Sequence, residues 1–248
     1  MIFYNLDQLI FSGLSLKLPV IIPTFNNPEY LVNMVKQLNK YELNDIIIID
    51  NNSSYPPMQE ILREMSEKYI VVAKSTNEGP RECYENKLFY DWLPDKFILT
   101  DPDIGFNENL PSDFVNTLSY ISDSGFFKVG FALDIEFDAE TFIRDAVIGP
   151  GKTIYSWESS LYNDEVGQDK SGNPIYRAAL DTTFCLINKK QHMGGFLTPS
   201  ARVGGDFKSQ HYGWYTNPPV SKEEEQYTID HATKWSSTIA VRKGIYNG

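Results

Sequence analysis

Asp101 and Asp103, separated by Pro102, close the apolar run Lys96-Phe97-Ile98-Leu99-Thr100. Two carboxylates two positions apart, where a buried strand gives way to a loop, suit a hard divalent cation that also binds a ligand's phosphates. An acidic chain also brings Asp residues together by chance as solvated turn residues, so the pair gains meaning only from what surrounds it.

The elements that must position this pair are legible upstream. From Leu18 to Thr100 the chain repeats a short apolar strand, a polar loop and a helical stretch, the pattern of a parallel sheet with crossover helices. Val20-Ile21-Ile22 reads as the first strand, and Asn26-Asn27-Pro28-Glu29 supplies a cap, a first-turn proline and an early acid for the next helix. Tyr30, Leu31, Met34, Val35 and Leu38 form its apolar stripe. Ile46-Ile47-Ile48-Ile49 is a strand buried on both faces, followed by a helix marked by Met58, Ile61, Leu62 and Met65. Ile70-Val71-Val72-Ala73 is the third strand, and Tyr84, Leu88 and Trp92 mark the helix leading into the Asp-Pro-Asp strand.

Beyond Asp103 the periodicity loosens. Helices are expected over 111–123 and near 153–163, and strands over 126–132 and 182–187. A loop over 167–174, bearing Gly167, Gly172 and Asn173, reads as mobile, and residues 194–220 read as loop-rich. Ser221-Lys222-Glu223-Glu224 matches a capping box, predicting a closing helix through about Trp235.

Composition sets limits on function. With 248 residues, 42% of them hydrophobic, the chain can build one large α/β domain or two small ones, and no linker or repeat forces a boundary. Its 22 Lys and Arg against 33 Asp and Glu give a net charge of −11, which repels nucleic acid but not one nucleotide whose diphosphate is neutralised by a metal. Cys83 and Cys185 lack the spacing of a zinc or redox site and read as buried small hydrophobes. No basic leader or long apolar span is present, so a cytoplasmic protein is expected, with peripheral contact at the inner face of a membrane open to it.

In open parallel sheets ligands sit at the carboxyl ends of the strands. Those ends carry Pro23-Thr24-Phe25-Asn26, then Asp50-Asn51-Asn52-Ser53, then Asn77-Glu78-Gly79-Pro80-Arg81, then Asp101-Pro102-Asp103. Asp50 can accept hydrogen bonds from a base or ribose, Phe25 can flank a base, and Asn77, Gly79 and Arg81 can approach phosphates; each is also an ordinary loop residue. The signatures G-x-G-x-x-G and G-x-x-x-x-G-K-[ST] are absent, which argues against a nicotinamide dehydrogenase or a P-loop NTPase.

Ile21-Ile22-Pro23-Thr24-Phe25-Asn26, Ile48-Ile49-Asp50-Asn51-Asn52-Ser53, Asn77-Glu78-Gly79 with Asn86 downstream, and Asp101-Pro102-Asp103 together resemble the successive motifs of GT-A glycosyltransferases, most closely family 2. The resemblance covers residues 18–107 well and the remainder loosely. It implies an α/β GT-A fold with a Rossmann-like, mostly parallel central sheet flanked by helices. It implies one domain over 1–248, residues 18–107 binding nucleotide-sugar and metal and a less regular acceptor half over 108–248. It further implies a nucleotide-diphosphate-sugar donor, Mn²⁺ or Mg²⁺ at the Asp-x-Asp motif, and transfer to an acceptor hydroxyl. Asp50 matches the base- or ribose-contacting acid, Asp101 lies near the ribose or the metal, and Asp103 ligates the metal.

The second half departs from the family pattern, in which an acidic pair after a Gly-Gly-Phe element supplies the base, for which Asp206 and Asp181 are the candidates here. Met193-Gly194-Gly195-Phe196 is present, but the acid downstream is a lone Asp206. Two segments look like those of a less familiar bacterial branch: Tyr176-Arg177-Ala178-Ala179-Leu180-Asp181-Thr182-Thr183-Phe184 and His211-Tyr212-Gly213-Trp214-Tyr215. Asp181 is either a base for the acceptor hydroxyl or a strand-capping acid. His211 resembles a C-terminal histidine that adds a metal ligand, and an imidazole beside two carboxylates favours Mn²⁺; a structural histidine is the plain alternative. Aromatics Trp157, Tyr162, Trp214, Tyr215 and Trp235 gather in this half, Trp214 and Tyr215 being candidates to pack on acceptor sugar faces and Glu158 a reserve acid there.

The expected activity is metal-dependent glycosyl transfer onto a glycan or lipid-linked glycan, in polysaccharide, lipopolysaccharide or glycoprotein glycan assembly. A sugar-phosphate nucleotidyltransferase is disfavoured because no Gly-rich basic loop follows the first strand, and a non-catalytic nucleotide-sugar or glycan-binding protein is the alternative from another class.

Overall fold

The strand–loop–helix repeats fold as expected in the computed structural model, which describes residues 1–136, 141–149 and 151–233. In chain order the first half runs β1 (Ile2–Phe3), α1 (Leu6–Ile10), β2 (Val20–Thr24), α2 (Pro28–Lys40), β3 (Ile46–Asp50), α3 (Pro56–Met65), β4 (Ile70–Ala73), α4 (Glu82–Glu85), α5 (Lys87–Trp92), β5 (Lys96–Leu99) and β6 (Ile104–Gly105). The second half follows with α6 (Phe114–Asp123), β7 (Lys128–Phe131), β8 (Val147–Gly149), β9 (Lys152–Thr153), α7 (Ile154–Ser160), β10 (Glu165–Gln168), β11 (Pro174–Arg177), β12 (Cys185–Asn188), β13 (Ser200–Val203), β14 (Gln210–His211) and α8 (Lys222–Asp230).

Ten strands form one sheet in the order β1-β4-β3-β2-β5-β12-β7-β13-β11-β10. The run from β1 to β5 is parallel; β12 enters antiparallel between β5 and β7, and β13 lies parallel to β7. Helices cover both faces. Strand alternation sends Ile22, Ile48 and Val71 toward a core with Leu31, Met34, Leu38 and Phe114, and Ile21, Ile47, Val72 and Leu99 toward one with Leu6, Leu9 and Phe89. A strand buried on both faces cannot alternate with polar residues, which is why these segments read as unbroken apolar runs.

Several local expectations are corrected. The helix before β5 is broken at Asn86, whose side chain accepts from Phe89 N at 3.1 Å and starts α5. That break turns Leu88 to solvent and Phe89 into the core. The stretch 167–174 is the turn of a hairpin rather than an open loop: β10 pairs antiparallel with β11, and Asp169 Oδ1 accepts from Ser171 N and Asn173 N at 2.8 and 2.9 Å. Within 194–220, β13 is a fully buried strand. β7 lies so close to β12 that a side chain at Gly130 would strike the Phe184 carbonyl.

The caps of α2 and α8 are exchanged. Asn27 makes no side-chain cap, because its Oδ1 is taken by the Thr24 hydroxyl. The Glu29 and Tyr30 amides instead donate to Glu224 of α8 at 2.7 and 3.4 Å, and Ser221 N donates to Glu29 Oε2 at 2.8 Å. Ser221 Oγ accepts from Glu224 N as expected, but α8 ends at Asp230 rather than near Trp235, which lies outside the described residues.

Candidate active site

The chain leaves β5 through Asp101-Pro102-Asp103 and immediately forms β6, which pairs antiparallel with β14 so that His211 lies opposite Ile104. This register sets His211 beside Asp103, and the Tyr212 amide donates to the Asp103 carbonyl at 2.8 Å. One ligand atom from each of Asp101, Asp103 and His211 lies within 4.8 Å of the others, the one such group of potential metal ligands among the described residues. His211 Nδ1 is buried 3.4 Å from Asp103 Oδ2 yet makes no hydrogen bond. The imidazole is held flat against Trp214, with ring centroids 4.7 Å apart and planes 7° from parallel. Two carboxylates and a ring nitrogen left without a hydrogen-bond partner fit a divalent cation, Mn²⁺ better than Mg²⁺ because of the nitrogen.

Asp101 is fixed by a residue whose role the sequence did not reveal. Thr182 Oγ1 donates to Asp101 Oδ2 at 2.6 Å, and Asp101 N donates to the Thr182 carbonyl at 3.0 Å. Burial and the nearby Asp103 charge push the Asp101 carboxyl up to about 7, against the Thr182 bond and the attraction of His211.

The strand-end loops of the first half interlock. Asn26, fully buried with φ 57°, donates its amide to Ser53 Oγ at 2.8 Å, and its Oδ1 accepts from Ser54 N and Tyr55 N at 2.7 and 2.9 Å. Asp50 accepts from both the hydroxyl and the amide of Ser53, and burial raises its pKa against those bonds. Asn51 Nδ2 donates to the Gly79 carbonyl at 3.4 Å, and Asn77 Oδ1 accepts from Gly79 N at 3.1 Å, with Gly79 at φ 91°. Pro23 and Thr24 are buried at the end of β2, and Phe25 is partly exposed beside them. These residues line neighbouring strand ends, as expected, and their polar groups already hold one loop to the next.

In the second half the candidates separate. Arg81 grips Asp181 with two bonds, Nε to Oδ1 at 3.0 Å and Nη2 to Oδ2 at 2.5 Å, at a partly exposed position. Asp206 is exposed on a 3₁₀ turn, its amide bonded at 2.9 Å to Asn173 Oδ1 in the turn of the β10–β11 hairpin. Glu158 is not available to an acceptor: it is buried in an ion pair with Arg202 at 2.8 Å, burial raising its pKa. Tyr215 is likewise buried, its hydroxyl on the Asp134 carbonyl at 3.2 Å and its ring against Phe142. Trp214 remains partly exposed beside His211. Trp157 carries Lys152 over its ring at 4.5 Å, and Tyr162 donates to the Leu133 carbonyl.

No helix among the described residues is long and apolar enough to cross a membrane. No curated protein matches the chain. Two similar solved structures are mannosyltransferase PcManGT from Pyrobaculum calidifontis in complex with GDP-Man and Mn²⁺, and S. aureus TarS 1-349. The first is 12% identical with a TM-score of 0.49, the alignment covering 95% of this chain and 66% of that one. The second is also 12% identical with a TM-score of 0.49, covering 86% of this chain and 63% of that one. This chain therefore spans less than two thirds of either structure. The family match stops short of Asp101 and Asp103 but takes in the first three strand ends: residues 20–84 carry the sequence pattern of glycosyl transferase family 2.

Proposed function

We propose that the protein is a metal-dependent GT-A glycosyltransferase, moving a sugar from a nucleotide-diphosphate-sugar to an acceptor hydroxyl on a glycan or lipid-linked glycan. The observation that carries this reading is the β6–β14 pairing, which brings His211 to Asp101 and Asp103 at the end of the strand that follows the family 2 segment. Asp101, Asp103 and His211 would hold Mn²⁺ or Mg²⁺. When bound, such a cation stabilises the charge developing on a leaving diphosphate.

The chain's own residues supply the rest. Asp50 and the interlocked loops carrying Phe25, Asn26, Asn51, Asn77 and Gly79 receive the nucleoside, and their mutual hydrogen bonds keep that surface formed before donor arrives. Thr182 orients Asp101. For an inverting transfer, Asp181 takes the proton from the acceptor hydroxyl: Arg81 occupies one lone pair on each of its oxygens and leaves the others free to accept. Asp206 is the second choice, since its amide is tied to Asn173 at the hairpin. Trp214 offers its face to the acceptor sugar.

The deciding experiment is a panel of nucleotide-sugars with Mn²⁺, followed by thermal stabilisation and slow donor hydrolysis. Stabilisation and hydrolysis by one donor support the reading. Hydrolysis by none, with stabilisation by none, defeats it, and stabilisation without turnover for any donor or acceptor favours a binding protein.

A further inference from the structure

Lys128, the first residue of β7, is completely buried in the middle of the sheet. A lysine there loses its hydration, which lowers its pKa, and among the described residues no carboxylate pairs with its ammonium. Its Nζ is nevertheless fully occupied. It donates to the Leu180 carbonyl at 2.6 Å and to the Asp181 carbonyl, and lies 3.7 Å from the centroid of the Phe196 ring. Phe196 belongs to the Gly194-Gly195-Phe196 element, and its ring also meets the Tyr84 ring at 4.9 Å and the Arg81 guanidinium at 5.1 Å, the group that grips Asp181.

Two consecutive carbonyls turned onto one ammonium fix the peptide between them. The next residue is Thr182, joined to Asp101 by hydroxyl and carbonyl. A methionine would fill the same space without a buried charge, so what the lysine adds at this position is the hold on residues 180 and 181. We propose that Lys128 is a positioning residue: it fixes the segment Leu180–Thr182 so that Thr182 holds Asp101 and Asp181 stays within the grip of Arg81. Its consequence for metal and donor rests on the function proposed above, whereas the pinning itself does not.

Amide exchange on the ligand-free protein tests the pinning directly. In Lys128→Met the Asp101 amide, which donates to the Thr182 carbonyl, is expected to exchange at least about fivefold faster, the effect of one lost hydrogen bond, while Ile48 in β3 keeps its rate. An unchanged Asp101 rate overturns the proposal. Should Lys128→Met fail to fold, Phe196→Leu, at a partly buried site, removes the ring face and is expected to speed the same amide; no change there is equally fatal. For the functional consequence, Mn²⁺ affinity is measured with UDP present for Lys128→Met, Thr182→Val and the double variant. Each single variant is expected to weaken binding about fivefold and the double no further, because both act through the same contact. Losses that multiply mean Lys128 does not act through Thr182. If the unmodified protein binds no Mn²⁺, the donor-site reading fails and the exchange result alone decides for Lys128.

Discussion

Thr182 and Asp101 hold each other twice, side chain to side chain at 2.6 Å and amide to carbonyl at 3.0 Å, so the first residue of the Asp-Pro-Asp segment is set by the segment leading into β12, from the other half of the chain. The hydroxyl is the removable part of this contact. Thr182→Ser keeps a donor and is expected to bind Mn²⁺ as the unmodified protein does, whereas Thr182→Val weakens binding about fivefold. Calorimetric titration separates the two, and equal losses in both variants would show that shape, not the hydroxyl, matters.

The base assignment separates by kinetics. Asp181→Asn is expected to lower turnover by roughly 10²–10⁴-fold with little change in donor KM, while Asp206→Asn on its exposed turn changes turnover little. If Asp206→Asn is the crippled variant, the base lies there; if both retain full turnover, neither carboxylate acts as the base.

The exchanged caps carry a pH dependence. Burial pushes Glu224 up to about 7, against the Glu29 and Tyr30 amides that lower it, with the Glu29 charge adding to the rise. Because the folded state binds this proton more tightly than the unfolded chain, its stabilising contribution is complete below the ordinary glutamate range and is lost as pH rises toward 7. Glu224→Gln cannot titrate, so the melting temperature of the unmodified protein should fall relative to Glu224→Gln between about pH 4.5 and 7. A constant difference across that range would contradict the assignment.

Arg202 and Glu158 are both buried and joined at 2.8 Å, with Arg202 Nε also donating to the Ala179 carbonyl at 2.8 Å. Removing one partner leaves an unpaired buried charge. Arg202→Met is expected to lower unfolding free energy by about 3–5 kcal/mol, and Arg202→Met with Glu158→Gln by less. Chemical denaturation reads both, and a double variant as unstable as the sum of its singles would show that the pair is not coupled.

How far the sequence disclosed all this follows from where each signal resides. The strands Val20–Thr24 and Ile46–Asp50 are buried on both faces, so their burial is written as apolar runs, and the strand-end loops follow from them. Ser200–Val203 is equally buried but carries Arg202, whose partner Glu158 stands 44 residues away; one strand's sequence cannot reveal that the charge is satisfied. The same distance effect hid the Glu224 cap of α2 and the Thr182 hold on Asp101, both of which need the fold to exist first. His211 could be picked out as a residue type, but its meeting with Asp103 depends on the β6–β14 register. Tyr215 and Glu158 misled because aromatic and acidic types in an irregular region look available until burial is known.

Whether Asp101, Asp103 and His211 form a metal-assisted donor site is read from the affinity of UDP or GDP, measured calorimetrically with Mn²⁺ and with a chelator, in the unmodified protein, Asp103→Asn and His211→Ala. Mn²⁺ is expected to tighten binding of one of these nucleotides at least about tenfold, Asp103→Asn to abolish the gain, and His211→Ala to reduce it, all with the fold intact. Nucleotide affinity that is the same with Mn²⁺ as with chelator, or a full Mn²⁺ effect surviving in Asp103→Asn, contradicts such a site.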